Sequence, residues 1–114
     1  FAMSYNLTTP LGREAVLSCV VERLGNYKVG WMRAEDNTVL SVNTHVISHN
    51  SRITVTHDNH RTWQLHIKQV KESDRGCYMC QINTKLMKKQ LGCVDVLVPP
   101  DILNNETSSD MSEL

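Results

Sequence analysis

The chain has 114 residues, of which 40% are hydrophobic, and its 12 basic and 12 acidic residues give a formal net charge of zero. That length suits one domain with a single core. Without a net charge, we expect binding neither to nucleic acid nor to a membrane surface, and recognition of a partner by shape and local chemistry. No apolar run is long enough to cross a membrane and no signal peptide precedes Phe1, so we expect a mature piece whose targeting and anchoring parts lie elsewhere.

Alternating apolar residues and regularly spaced turn residues predict an all-β chain. Turn signals stand at Gly25-Asn26 and Asp36-Asn37, and Pro99-Pro100 ends the last strand. The domain is predicted to cover residues 1–100, and the polar residues 101–114 to be a linker or the truncated start of a second domain. In chain order, the predicted strands are 1–9, 14–21, 28–32, 38–42, 45–48, 52–55, 63–67, 74–83 with its entry turn, and 91–98.

The eighth predicted strand opens with an Asp-x-Gly-x-Tyr-x-Cys pattern that begins at Asp74. Tyr78 and Cys80 point to the same side of that strand, because side chains alternate along a strand. A Tyr two residues before a Cys, entered through such a corner, is typical of the tyrosine corner of an immunoglobulin sandwich. That fold also needs an earlier Cys and then a Trp, and Cys19 and Trp31 occupy those places.

The spacing within this motif predicts the variable type of the fold. Between Trp31 and Cys80 there is room for two short strands beyond those of a constant-type domain, which indicates a V-set or V/I intermediate sandwich with Greek-key topology. Arg52 is the first residue of the sixth predicted strand. In variable-type domains this position pairs with the corner acid, so we expect an ion pair between Arg52 and Asp74 at the bottom of the sandwich.

The four cysteines are predicted to form two disulfides, which implies an oxidising compartment. Cys77-x-x-Cys80 also matches a metal or redox motif, but residues three apart on a strand face opposite sides and cannot converge on one ion. In a hairpin whose loop centres near Lys85, Cys77 lies opposite Cys93. Of three connectivities we therefore predict Cys19–Cys80 and Cys77–Cys93.

Two N-x-S/T sequons, at Asn6 and Asn105, agree with secretion. A single sequon often arises by chance, but two sequons together with paired cysteines favour an extracellular glycoprotein at the cell surface.

The sequence offers no constellation for catalysis. Its five histidines, at positions 45, 49, 57, 60 and 66, lack the spacing that completes a metal site, so we expect them to be solvated. It has no Gly-rich phosphate loop and no Gly-x-Ser-x-Gly elbow, and every cysteine is assigned to a disulfide. We therefore predict neither an enzyme nor a metal or cofactor site.

Apolar side chains are predicted on the outer side of one sheet. Immunoglobulin nomenclature calls its strands G, F, C, C′ and C″, which here are the predicted strands 91–98, 74–83, 28–32, 38–42 and 45–48. Met32, Met79 and Leu91 project outward, beside the bridged Cys77 and Cys93. A contiguous apolar patch on one sheet usually marks an interface. Lysines at 85, 88 and 89 form a basic cluster at the F–G loop, which is either solvated or tunes partner choice.

The candidate residues for partner binding are the outward apolar ones, two amides at the margin, and the apolar residues of C′ and C″, whose parity the sequence leaves open: Met32, Val39, Leu40, Val42, Val46, Ile47, Met79, Gln81, Asn83 and Leu91. Another domain of the same chain is the alternative cover for this face. We favour a separate protein, because the Pro99-Pro100 exit lies at the end of the domain and not at its side.

Several segments resemble the first immunoglobulin domain of the insect Dpr-interacting proteins, relatives of lachesin and of the vertebrate IgLON adhesion proteins. These segments are Tyr27-Lys28-Val29-Gly30-Trp31, His45-Val46-Ile47-Ser48, Thr62-Trp63-Gln64-Leu65-His66-Ile67, Gly76-Cys77-Tyr78-Met79-Cys80-Gln81-Ile82-Asn83-Thr84 and Val98-Pro99-Pro100-Asp101-Ile102. The resemblance implies a three-domain neuronal surface glycoprotein, often lipid-anchored, whose first domain binds the first domain of a Dpr protein through the G-F-C-C′-C″ face. Lys85-Leu86 stands where the family more usually has an acidic-Pro pair, which bears on the identity of the partners and not on the face they use.

Three functions follow as hypotheses. The first is heterophilic recognition between neurons, with homodimerisation on the same face as a side activity. The second is homophilic adhesion of the lachesin or IgLON kind. The third is a soluble immune module that binds ligands through loops at the end of the sandwich.

Overall fold

The fold is a sandwich of two β-sheets, seen in a computed structural model that describes residues 4–100. One sheet has six strands in the order β1-β9-β8-β3-β4-β5, and the other has three in the order β2-β7-β6. β1 pairs with β9 in parallel, and the other neighbours are antiparallel. The strands are β1 (Ser4–Pro10), β2 (Ala15–Val20), β3 (Val29–Arg33), β4 (Val39–Val42), β5 (His45–Val46), β6 (Ile53–His57), β7 (Thr62–Ile67), β8 (Gly76–Ile82) and β9 (Lys88–Leu97).

The prediction of a variable-type immunoglobulin sandwich is confirmed. β4 and β5 are the two short strands that the length of this segment indicated, and they extend the six-stranded sheet beyond β3. Residues 101–114, with the Asn105 sequon, lie outside the described residues, so the predicted second-domain start stays a prediction. Among residues 4–100, no helix is long and apolar enough to span a membrane.

The core lies between the sheets and is built by strict alternation. Along β2 and β7 every second residue is buried, and Leu17 and Leu65 are completely inaccessible. Trp31 is also completely buried, and beside it the disulfide between Cys19 and Cys80 joins the two sheets with a Cα–Cα distance of 6.4 Å. This bond is one of the two that the sequence predicts.

The tyrosine corner is formed as the motif predicts. The Tyr78 hydroxyl donates to the backbone carbonyl of Asp74 at 2.7 Å. The guanidinium of Arg52 donates to both carboxylate oxygens of Asp74, at 2.6 and 3.1 Å, and the Lys71 N–H donates to the same carboxylate at 2.8 Å. Burial acts to raise the pKa of Asp74, but the hydrogen bonds from Arg52 and Lys71 outweigh it, so the pKa lies below its ordinary value of 3.8.

The second predicted disulfide is also present. Cys77 in β8 lies directly opposite Cys93 in β9, and the two sulfur atoms are bonded across the hairpin. Both residues lie on the outer side of the six-stranded sheet, because the neighbouring Tyr78 and Val94 are buried in the core. The bond therefore fixes the register of β8 against β9 on the outer side of the sheet.

Candidate protein interface

Four apolar residues form one cross-strand row on the outer side of the six-stranded sheet. Met79 in β8 pairs with Leu91 in β9 and with Met32 in β3, and Met32 pairs with Val39 in β4. Leu91 and Val39, at the two ends, are 44% and 40% exposed. Since paired residues in a sheet lie about 5 Å apart, this apolar row is roughly 15 Å long. We call the outer side of β9, β8, β3, β4 and β5 the docking face.

The position of the two methionines follows from their neighbours. Trp31 and Cys80 have no exposed surface, so the pleat of β3 and β8 turns Met32 and Met79 outward. Methionine side chains are flexible and polarizable, which suits a surface that adapts to related partners. The structure thus brings the candidate residues Met32, Met79 and Leu91 together.

A cavity of about 310 Å³ opens beside the apolar row. Its floor lies at Gly30, which pairs with Gln81 on one side and with Val42 on the other. Because Gly30 has no side chain, the sheet surface is hollow here, and a Cβ atom at this position would lie 3.4 Å from the Ser41 carbonyl oxygen. The lining residues are Lys28, Gly30, Met32, Val39, Ser41, Val42, Gln81 and Asn83.

The cavity has a polar rim. Asn83 accepts a hydrogen bond from the Lys28 N–H at 2.7 Å through its side-chain oxygen, and its own N–H donates to the Lys28 carbonyl at 3.2 Å. These bonds hold the start of β3 against the end of β8. Gln81 lies two residues before Asn83, in β8, where it pairs with Gly30 on one side and with Lys89 on the other. The predicted amides therefore border the cavity, and Asn83 also has a structural task.

Leu40 and Val46 were candidates for the docking face, and for them the outward placement is wrong. Leu40 is only 4% exposed, and Val46 packs against the core. The cause is a register shift between β3 and β4 next to Trp31, which lets the consecutive residues Leu40 and Ser41 both turn inward. Val46 pairs with the inward Ser41 and therefore faces the same way.

Among the other residues of β4 and β5, Val39 ends the apolar row and Val42 lines the cavity. Ile47 follows β5 and is exposed. The alternation of these short strands is thus decided by the register shift, which local sequence does not reveal.

Sequence reasoning overlooked two features of this face. Gly30 is absent from the predicted binding residues, although a glycine inside a strand often marks a place that a ligand or another backbone approaches closely. Leu86 and Met87, in the turn between β8 and β9, are exposed between Lys85 and Lys88. An apolar and basic tip therefore borders one end of the docking face.

Two of the five histidines differ from the expectation that they are solvated, whereas His45, His49 and His60 are exposed as expected. His57 is half-buried and stacks on Trp63, with ring centroids 3.7 Å apart and planes 7° apart. His66 is paired through Nδ1 with the Glu14 carboxylate at 3.0 Å. Within residues 4–100, no group of His, Cys, Asp or Glu side chains is arranged to hold a metal ion.

Comparison with solved structures gives close matches to first immunoglobulin domains. The structure of DIP-gamma IG1+IG2 has 59% sequence identity and a TM-score of 0.81, covering 93% of this chain and 52% of that one. The complex of Dpr1 IG1 bound to DIP-eta IG1 contains a match with 52% identity and a TM-score of 0.79, covering 81% and 88%. The RIG-5 IG1 homodimer has 33% identity and a TM-score of 0.77, covering 84% and 93%. The resemblance to Dpr-interacting proteins is thereby confirmed.

Among curated relatives, lachesin of Schistocerca americana is 33% identical over 107 residues, which is 87% of this chain and 31% of lachesin. The chain spans about a third of the length of the curated relatives it matches. The family model for the immunoglobulin V-set domain matches residues 3–98. With the sandwich, the tyrosine corner and the inter-sheet disulfide in place, the chain belongs to the immunoglobulin V-set domain family.

Proposed function

We propose that this chain is the recognition domain of an extracellular, membrane-anchored adhesion protein, and that its docking face binds an immunoglobulin domain of another cell-surface protein. The observation that carries the proposal is the apolar row with the cavity beside it. Exposure of these side chains to water is unfavourable, and a partner that covers Met79, Met32 and Val39 would gain roughly 25 cal/mol for each Å² of apolar surface removed from water.

The relatives favour a heterophilic partner of the Dpr family. One of the similar structures is Dpr1 IG1 bound to DIP-eta IG1. We infer a matching role in neuronal recognition, in which a Dpr-type first domain lies against Met32, Met79 and the cavity. The lysines at the turn between β8 and β9 then select among such partners by their charge.

Homophilic adhesion is the second candidate, because the similar RIG-5 domain forms an IG1 homodimer. The apolar row is compatible with both kinds of partner. Sedimentation of this chain alone separates them: a tight dimer favours homophilic adhesion, and a monomer or weak dimer favours a heterophilic partner.

The test is binding of Met79→Asp to a panel of extracellular immunoglobulin domains that includes Dpr first domains, measured by surface plasmon resonance. A carboxylate buried without a partner is costly, so we expect affinity to fall at least about 100-fold, or about 2.7 kcal/mol. Val16→Asp is the matched control, because Val16 lies in β2 on the outer side of the opposite sheet, and we expect unchanged affinity. Affinity of Met79→Asp within about threefold of the parent chain would contradict the proposal.

A further inference from the structure

The Asn6 sequon lies in β1, the strand at one edge of the six-stranded sheet. Leu7 packs against the core and Thr9 is buried, whereas Asn6 and Thr8 are exposed. This alternation places both polar members of the sequon on the outer side of the strand. The acceptor nitrogen is therefore in a position where a sugar can remain in the folded protein.

The register of β1 shows which surface this outer side belongs to. Asn6 pairs with Cys93, and Leu7 pairs with the buried Val94. Paired residues in a sheet point to the same side, so Asn6 lies on the same side as Cys93 and Leu91. One strand spacing of about 4.8 Å and two residues of about 3.4 Å each place the Cα atoms of Asn6 and Leu91 roughly 8 Å apart. The sequon thus borders the docking face.

We propose that Asn6 carries an N-linked glycan that stands beside β9 and confines docking to the part of the face over β8, β3, β4 and β5. In the modification, the Asn6 amide nitrogen bonds to the anomeric carbon of an oligosaccharide carried on a lipid pyrophosphate. The pyrophosphate leaves with the electron pair of the bond that breaks, and the amide loses one proton.

The consequence is a docking face with one closed end and one open end. A bulky, hydrated sugar beside β9 excludes a protein surface that would lie over Leu91, while Val39 and the cavity at Gly30 stay accessible. That a partner docks on this face rests on the proposed function, whereas the glycan and its steric effect do not depend on it. Both can be measured on this chain without any partner.

The first measurement is occupancy. The chain is secreted from insect cells, and the peptide that contains Asn6 is mapped by mass spectrometry, with Thr8→Ser as a variant that keeps the sequon and Thr8→Ala as one that destroys it. We expect a glycan on the parent chain and on Thr8→Ser, and none on Thr8→Ala. An unmodified Asn6 in the parent chain would overturn the proposal.

The second measurement is steric access at the two ends of the apolar row, whose residues have similar exposure. Leu91→Cys and Val39→Cys are each made with and without Asn6→Gln, and labelled with a maleimide that carries a bulky polyethylene glycol chain. We expect Leu91→Cys to react at least threefold more slowly when the Asn6 glycan is present, and Val39→Cys to react equally in both backgrounds. Equal rates for Leu91→Cys in both backgrounds would overturn the proposal. Peptide mapping checks that the Cys77–Cys93 bond is intact in each variant.

Discussion

The outer sides of the two sheets differ in polarity. On the three-stranded sheet, polar side chains hydrogen-bond to one another from strand to strand. Gln64 donates to Ser18 at 3.2 Å, Thr56 bonds to His66 at 2.8 Å, and His66 is paired with Glu14 at 3.0 Å. These polar side chains satisfy each other, and the two outward valines of β2, Val16 and Val20, are separated by Ser18, so within residues 4–100 this side has no contiguous apolar patch for a partner.

The docking face has the opposite character. At the corresponding central positions it carries the apolar row and the cavity at Gly30, with amides and lysines only at the border. One molecule thus contains its own control surface, because one of its two sheets satisfies its polar side chains within the chain and the other leaves apolar surface for another protein.

The largest effect is expected where the two sheets are held together. Arg52 precedes β6 in the three-stranded sheet, and Asp74 precedes β8 in the six-stranded sheet, so their ion pair links the two sheets. Asp74→Asn leaves the half-buried guanidinium without its carboxylate, and we expect the free energy of unfolding at neutral pH to fall by about 4 kcal/mol. Denaturant unfolding measures it. Glu72→Gln, which removes one of the two exposed carboxylate partners of Arg75, is the matched control with an expected change below about 1 kcal/mol.

The same pair predicts a pH dependence. The folded pKa of Asp74 lies below the ordinary value of 3.8, so its contribution to stability is complete above that value and is lost as the pH falls through the folded pKa. The difference in unfolding free energy between the parent chain and Asp74→Asn should therefore shrink below about pH 4. A difference that stayed constant from pH 7 to pH 3 would show that the charge of Asp74 is not what stabilises the fold.

The next largest effect is expected in the six-stranded sheet alone. The disulfide between Cys77 and Cys93 joins residues 16 apart in sequence, and loop entropy assigns such a bond about 3 kcal/mol of stability. We expect the double variant Cys77→Ala/Cys93→Ala to lose about that amount in denaturant unfolding while the inter-sheet bond stays intact. Relative to the parent chain, amide hydrogen exchange in this variant should accelerate more in β8 and β9 than in β2 and β7. Equal acceleration in both sheets would mean that the bond stabilises the sandwich as a whole.

Much of this architecture could be predicted, because residues that must be buried determine which side chains of the long strands face the core and which face outward. Cys80 and Tyr78 must face the core, so Met79 and Cys77 must face outward, and the short hairpin loop then places Cys93 opposite Cys77. The ion pair at the corner was predictable for a similar reason, since the fold provides one place for each of its two residues. In these regions local pattern and tertiary contact agree.

The orientation of side chains in the short strands β4 and β5 was harder to predict, because it depends on pairing with the neighbouring strand and not on the alternation of residues along the chain. Leu40 turns inward through the register shift beside Trp31, a feature of the pairing between β3 and β4 that has no local signal. The cavity was missed for a related reason. An outward Gly30 is readable from alternation, but the hollow also depends on how Val42, Gln81 and Met32 stand around it.

The smallest expected effect tests whether this hollow belongs to the docking face at all. Gly30→Met would fill the cavity, while its Cβ would lie at an ordinary contact distance of 3.4 Å from the Ser41 carbonyl oxygen. A side chain that occupies the space meant for a partner should lower affinity about tenfold, or about 1.4 kcal/mol. The fold itself should be as stable or more stable, because glycine inside a strand costs about 0.5–1 kcal/mol relative to alanine. Thr54→Met, on the outer side of the three-stranded sheet, adds the same side chain where no partner binds and should leave affinity unchanged. If Gly30→Met raises the free energy of unfolding and lowers affinity, and Thr54→Met leaves affinity unchanged, the glycine lowers the stability of the chain and keeps the cavity open for another protein. Unchanged affinity in both variants would limit the docking face to the apolar row.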